Sequence, residues 1–489
     1  MLTRRRFLIG SLATGAISCT SRYVRTSAPH VTHGVQIGDV GGGRALVWAR
    51  CDEPARLVVD WDTTDRFHAP HRLASPVVSA DTDFAAKVLL AGLPENSSIF
   101  VRARFEREAE RGESAWETAQ FRTPRPTDVR FVWTGDVCGQ GYGRNPEWGG
   151  LRGFATMLAA DPDFFLHSGD LIYADNPILP ELTLPDGRIW KNVSNERVAR
   201  VAQTLDDFRA RFRYNLEDEH VRALAARVPI VAQWDDHETH NNWWPDEQLD
   251  DDRYTIERDT TTLSGYARRA MLEWTAAPAG PVHRIVSYGP LVDVIVLDCR
   301  TFRSPNSPDT GDDAMLGAPQ AAWLADALRN SRATWKIVAC DQPLALVIPD
   351  GPHDERREGW ANGVPGAPTG RERELAGVLA QTRDVPNVCW FTADVHYAAA
   401  HYFRPDALAP FWEFVAGPIH AGTFGPNPLD PTFGPELKFQ WAPAPGQANL
   451  APWDGLQSFG VVHATADALQ VSLRGIDGKD RYSVAIDRV

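Results

Sequence analysis

Four short segments, WTGDVC (133–138), HSGDLIY (167–173), WDDHE (234–238) and ADVH (393–396), each place carboxylates, His, Cys or Tyr directly after an apolar run. The preceding runs FVW, FFL, IVAQ and VCWF read as buried strands. In an α/β sheet, ligands bind outside the carboxyl ends of such strands. Four endings converging on one sheet edge would bring together more carboxylates than can stay ionised side by side. Close carboxylates raise one another's pKa unless a cation intervenes. A di-metal site is the economical explanation, and it demands a fold that delivers four strand ends to one place.

The rest of the chain fits that demand. Residues 30–124 carry short alternating or β-branched runs, THGVQIGDV, ALVWARC, RLVVDWD, FAAKVLLAGL, SIFVRARF and AQFRT, separated by turn residues. This pattern predicts a small antiparallel β-sandwich of immunoglobulin or fibronectin III type, with no ligand constellation of its own. Thr123-Pro-Arg-Pro-Thr127 reads as a stiff linker. From 128 to 489 the rhythm changes to strand and helix in alternation, with helical patterns near 149–160, 196–226, 253–277, 318–330 and 370–383. That alternation predicts an α/β domain with a layered sheet. Long loops at 175–194, 303–317, 347–369 and 417–449 lie next to strand ends, where loops build pockets.

A length of 489 residues predicts two or three domains. A net charge of −14 with no basic stripe argues against nucleic acid as the main partner. Several of the 17 Trp (Trp133, Trp234, Trp243, Trp244 and Trp390) flank the polar endings and read as buried walls. Residues 1–29 open with MLTRRRFLIGSLATGAISC, a basic start followed by a short apolar stretch and small residues, which reads as a secretory signal. Thr3-Arg4-Arg5-Arg6-Phe7-Leu8 is similar to the twin-arginine export motif. The expected location is therefore periplasmic or secreted, with the twin-arginine translocase as transient partner and lipid attachment at Cys19 as an alternative to plain cleavage. No other apolar run is long enough for a membrane span. The remaining cysteines form no CxxC pair; Cys299, Cys340 and Cys389 read as buried small hydrophobes.

The ordered blocks GDVC, GDLIY, WDDHE and ADVH resemble those of the calcineurin-like metallophosphoesterases, closest to the PhoD type of alkaline phosphatase and phosphodiesterase. The leading sandwich and the twin-arginine run fit the same family. The resemblance implies a four-layer α/β/β/α catalytic domain behind the β-sandwich. It implies Asp136, Cys138, Tyr173 and His396 on a first metal, Fe(III), and Asp236 and Asp394 on a second. Asp170 would bridge the two, and Cys138 has a mere turn residue as its alternative reading. Oxygen ligands at the second site suit Ca(II), with Mn, Mg, Zn or Co also able to occupy it.

Two such cations would hold a phosphate ester, lower the pKa of a bound water and let hydroxide attack phosphorus in line. His237 would protonate the leaving group or hold the phosphate, Asp235 would orient His237 or a ligand, and Asn241, Asn242 and Arg300 are candidate phosphate contacts. For each of these three, surface or core hydrogen bonding is an equal reading. Asp341 and Gln342 stand where the superfamily's separate metal-binding His has no match, His167 reads as structural, and His420 is open. The implied substrate is a phosphate-ester small molecule, with phospholipids, as in phospholipase D-like relatives, the alternative.

Two competing readings use different features. Cys138 and Arg144 have the Cys, five residues, Arg spacing of thiolate phosphatases. That reading leaves Asp170, Tyr173, Asp236, Asp394 and His396 without a role. A non-catalytic exported binding protein would use the sandwich as an adhesion module, for which the sandwich offers no ligand.

Overall fold

Whether the four endings meet depends on how the strands are ordered. The computed structural model describes residues 28–108, 112–405 and 409–489. The twin-arginine run and Cys19 lie outside the described residues.

Seven strands come first: β1 (Val31–Gly41), β2 (Arg44–Cys51), β3 (Arg56–Asp62), β4 (His71–Val77), β5 (Ala85–Ala91), β6 (Ser98–Glu106) and β7 (Glu117–Arg122). Then follow β8 (Asp128–Thr134), α1 (Gly153–Ala159), β9 (Phe164–Ser168) and a small hairpin of β10 (Glu181–Thr183) and β11 (Ile189–Lys191). The chain continues through α2 (Leu205–Leu216), α3 (Glu219–Ala225), β12 (Ile230–Gln233), α4 (Thr260–Trp274), β13 (Arg284–Tyr288) and β14 (Val292–Val296). Next are α5 (Gly317–Asn330), β15 (Trp335–Ala339), the short pair β16 (Pro349–Asp350) and β17 (Arg356–Arg357), and α6 (Arg371–Gln381). β18 (Val388–Thr392), β19 (Ala398–Phe403), β20 (Phe411–Val415), β21 (Pro435–Trp441), β22 (Ser458–Thr465), β23 (Ala468–Gly475) and β24 (Asp480–Asp487) complete it.

Two large sheets stack face to face. One has nine strands in the order β24-β23-β22-β8-β9-β12-β1-β2-β5; the other has seven, β13-β14-β15-β18-β20-β19-β21. Alternation along each strand decides which side chain goes where. Phe131 and Trp133 of β8 point into the core between the sheets, where Val294, Val296, Phe391 and Phe414 meet them. Val132, between them, points outward and packs under the first helices with Phe165, Phe208 and Leu263. On the second sheet Ile295, Val338 and Trp390 point outward beneath Leu324 and Leu328 of α5 and Leu375 and Val378 of α6. Helix, sheet, sheet, helix is the four-layer arrangement expected from the resemblance.

The N-terminal strands form a sandwich of β4-β3-β6-β7 against β1-β2-β5. Its second sheet is not free-standing, because β1 runs parallel to β12 with Gly38 opposite Ile230. β4 has no counterpart among the strand runs read from the sequence. Of its seven residues only Ser75 is buried, so it carries no apolar alternation to read. The helix expected over 196–226 is two helices. Asp218 takes an extended backbone (φ −76°, ψ 134°) and caps α3 by accepting from His220 N–H, which ends the first helix at Leu216. Trp133, Trp234, Trp243 and Trp390 are buried as walls, whereas Trp244 is half-buried, with Arg356 over its ring.

Candidate metal centre

Six parallel strand ends, three from each sheet, deliver the polar residues. β8, β9 and β12 are successive parallel neighbours in one sheet, and β14, β15 and β18 in the other. Cross-sheet hydrogen bonds fix the two rows against each other. Trp133 Nε1 donates to the Thr392 carbonyl at 3.3 Å, and Gln233 Nε2 donates to the carbonyls of Leu297 and Ala339 at 3.0 and 3.1 Å.

Leaving the strands, the chain turns sharply at the very residues that carry the donors. Asp136, Asp170, Asp394 and His396 have φ of +67°, +52°, +65° and +63°. Non-glycine residues seldom adopt this left-handed conformation, and Asp and His tolerate it better than most. The backbone also crowds in where a side chain would not fit. A Cβ on Gly139 would lie 2.5 Å from the Tyr173 ring, and one on Gly417 would collide with Asp136 Oδ2.

The donors converge in two overlapping sets. Asp136, Asp170 and His396 offer ligand atoms all within 4.8 Å of one another, and so do Asp170, Asp236 and His237. Asp170 belongs to both. Tyr173 joins the first set: its hydroxyl donates toward Asp136 Oδ1 at 3.2 Å and lies 2.8 Å from His396 Nε2. Nδ1 of His396 donates to the Gly422 carbonyl at 2.5 Å, which turns the Nε2 lone pair toward the cluster. Burial holds that imidazole down at about 4, so it is neutral and able to ligate. Asp235, Asp236 and Asp394 form a further converging set beside the second.

These carboxylates are under strong electrostatic pressure. Burial, then the charge of Asp235, pushes Asp136 up to about 8. Burial followed by neighbouring carboxylates drives Asp170 and Asp394 well above the usual range, and burial and then Asp170 do the same to the Tyr173 phenol. Asp136 Oδ2 and Asp170 Oδ2 are buried without a hydrogen-bond partner. Orphaned oxygens, crowded carboxylates and a phenol that needs a strong cation to ionise all fit a pair of metal ions.

His237 is held differently. Its Nδ1 lies 2.7 Å from Asp175 Oδ1, and its ring stacks on Tyr173 with centroids 4.1 Å apart. Burial alone would lower its pKa, but Asp175 and Asp236 outweigh burial and raise it to about 10. Asp236 accepts backbone N–H bonds from His237 at 2.9 Å and Asn242 at 2.7 Å. Asn242 has its side-chain amide on Asp350 at 2.9 Å, while Asn241 is exposed and gives its backbone N–H to Asp175.

Cys138 and Arg300 are placed nearer to the alternative that the sequence offers for each, a turn residue and a core hydrogen-bonding group. Cys138 does not join the converging donors. It packs in the apolar layer with Leu151, Phe154 and Phe212, burial pushes its thiol up, and only its backbone N–H reaches the site loops, on the His420 carbonyl at 2.7 Å. Arg144, its would-be phosphate partner, pairs with Glu217 at 2.6 Å, so the thiolate-phosphatase cradle is not built. Arg300 is fully buried, with its Nη1 left without a hydrogen-bond partner. Its Nε donates to Asp235 at 2.7 Å and its Nη2 to Glu358 at 2.5 Å, making it the counter-charge inside the carboxylate cluster.

Among the residues left without a role, His167 is buried and held at about 3 by burial, and His420 Nε2 donates to the Gly143 carbonyl at 3.1 Å. Asp341 lies under the cluster, accepting from Gln233 at 3.2 Å. Sequence reasoning missed three carboxylates. Asp175 follows GDLIY by two residues and Glu238 closes WDDHE, so one stood just past a quoted block and the other within one. Glu238 accepts from the backbone of Leu171 and Asp235 at 2.5 and 2.8 Å. Glu358 comes from the 347–369 loop, where no pattern marks it.

The model of the PhoD-like phosphatase family matches residues 131–474, and that of the PhoD-like phosphatase N-terminal domain matches 18–125. Alkaline phosphatase D of Bacillus subtilis (strain 168) is 26% identical over 277 residues, which are 53% of this chain and 46% of that protein. The match thus spans about half the length of that relative. A solved structure of PhoD superposes with a TM-score of 0.72 at 18% identity, covering 95% of this chain and 91% of the other. The purple acid phosphatase PPD1 from yellow lupin (Lupinus luteus) seeds gives a TM-score of 0.60 at 13% identity, covering 94% and 75%. Among the described residues no helix is long and apolar enough to cross a membrane.

Proposed function

The chain belongs to the PhoD-like phosphatase family, and from that premise we propose that it is an exported, metal-dependent hydrolase of phosphate mono- or diesters. The observation that carries this reading is Asp170, which converges with Asp136 and His396 on one side and with Asp236 on the other, where Asp394 also approaches Asp236. Asp136, Asp170, Tyr173 and His396 would hold the first ion. A phenolate ligand favours Fe(III) there. Asp170, Asp236 and Asp394 would hold the second, and their all-oxygen character favours Ca(II) over a nitrogen-seeking ion. When bound, the ions would neutralise phosphate charge and polarise water for attack at phosphorus.

The chain's own residues then have separate tasks. His237, with Nδ1 committed to Asp175, presents Nε2 to carry a proton to the departing alcohol oxygen. Asp175 fixes that tautomer and stabilises the imidazolium. Asn241 is free to reach substrate, whereas Asn242 acts through its backbone N–H on Asp236. Burial of the carboxylate cluster excludes bulk water, which strengthens every charge interaction inside. Phospholipids are the alternative diester substrate, as in a phospholipase D-like enzyme. The twin-arginine run supports export.

The test combines metal analysis and a visible spectrum of purified protein with assays on p-nitrophenyl phosphate, bis-p-nitrophenyl phosphate and phospholipid vesicles. A tyrosinate-to-iron absorption band, bound metal, and hydrolysis lost to a chelator and restored by metal are the expected results. Hydrolysis that survives chelation but not thiol alkylation would overturn the reading. Bound metal with no hydrolysis of any of the three would favour a binding protein.

A further inference from the structure

Beside the carboxylate cluster, two sulfurs meet. Cys299 follows β14 and Cys340 follows β15, parallel neighbours whose last paired residues are Val296 and Ala339. The two Sγ atoms lie 3.7 Å apart although 41 positions separate the residues in the chain. Both are fully buried in the apolar layer with Leu297, Met315, Leu344 and Ala345. Cys340 donates its thiol to the Gln342 carbonyl at 3.1 Å.

We propose that Cys299 and Cys340 are an oxidisable pair that closes to a disulfide tying the ends of β14 and β15 together. A disulfide needs its sulfurs at about 2.05 Å, so the pair closes by roughly 1.7 Å from its present contact. The oxidant is an external dialkyl disulfide, which meets the buried sulfurs when the segments after β14 and β15 open locally. One cysteine, as thiolate, attacks a sulfur of that reagent and expels one thiolate. The second cysteine then displaces the other half, so the pair loses two protons and two electrons while the reagent becomes two thiols.

The surroundings favour this product over its main rival. Asp341 brings a third donor within 4.8 Å of both sulfurs, the beginning of a soft-metal site. A metal would keep both sulfurs ionised inside the apolar layer, whereas exchange ionises one sulfur at a time and ends with neither charged. Three donors also fall short of the four that close a structural zinc site. A disulfide carries no charge into the apolar layer. It also stiffens the position next to Arg300, which holds Asp235.

The test incubates the full chain with oxidised glutathione, quenches with acid, blocks free thiols with N-ethylmaleimide in denaturant and maps peptides by mass. Expected is a Cys299–Cys340 cross-linked peptide pair, lighter than the two thiol peptides by two hydrogens, with Cys51, Cys138 and Cys389 blocked. The oxidised chain should melt at a higher temperature than the reduced one, and Cys299→Ser and Cys340→Ala should each abolish that difference. Recovery of both cysteines blocked after oxidation would overturn the proposal, as would either one capped by glutathione alone. So would stoichiometric soft metal released on denaturation and lost in Cys299→Ser.

Discussion

Asp175 Oδ1 lies 2.7 Å from His237 Nδ1, so the ring nitrogen facing the donor cluster is Nε2. On the proposed function Asp175 would orient the ring and His237 would carry the proton. Removing His237 as Gln should lower kcat by about 10²–10⁴-fold, the worth of a general acid. Asp175→Asn should cost less, about 10–100-fold. Both losses should shrink for substrates with good leaving groups, and metal content should stay constant. If Asp175→Asn loses metal in proportion to activity, Asp175 belongs to the ion-holding set instead.

Asp170 is shared by both donor sets. Asp170→Asn should therefore lose both ions and all activity together, read by elemental analysis and turnover on the same sample. An active, fully metallated variant would sink the di-metal reading.

Arg300 is expected to govern stability before affinity. Its guanidinium is the buried partner of Asp235 and Glu358. Arg300→Met leaves those charges uncompensated and should cost about 3–5 kcal/mol in denaturant unfolding. A raised KM with unchanged stability would restore the role of substrate contact.

Cys138→Ala should keep activity, chelator sensitivity and any iron absorption band, at a stability cost of about 1 kcal/mol. Loss of the band in a folded variant would return Cys138 to the metal.

His33 supplies a pH dependence away from the metal centre. It is buried against the Trp274 ring, with centroids 5.1 Å apart. Burial first, then Arg50, Arg213 and Arg222, lower its pKa from 6.5 to about 3. The unfolded chain thus binds a proton that the folded one refuses. The stabilising contribution is present above pH 6.5 and is lost as pH falls toward 3, by about 1.4 kcal/mol per unit. Denaturant titrations between these limits should give a shallower slope for His33→Gln than for the unaltered chain. Identical slopes would show that His33 does not control the window.

Where the sequence was readable, backbone and side chain obeyed the same local rule. Strand ends read from FVW, FFL, IVAQ and VCWF arrive together because a layered sheet aligns its parallel strands. The polar residue following each run is then forced into the same small volume. Cys138 escaped because its neighbours in sequence do not reveal which way the turn after Asp136 aims it. With φ of +65° it faces the helix layer and not the donors. For Arg300 the sequence leaves phosphate contact and core hydrogen bonding open, because its burial between Asp235 and Glu358 is decided by the distant 347–369 loop. β4 was invisible for the opposite reason, its exposure on both faces removing the alternation by which strands are recognised.

The parallel alignment of β1 with β12 at Gly38 and Ile230 means that the proline linker is a boundary in sequence only. Excising everything before it would leave β12 as a bare outer strand, its N–H and C=O groups unpaired beside the donors it carries. Such a margin recruits foreign strands. The N-terminal segment therefore serves as a selvedge for the catalytic sheet, and a shortened chain would tend to clump rather than work.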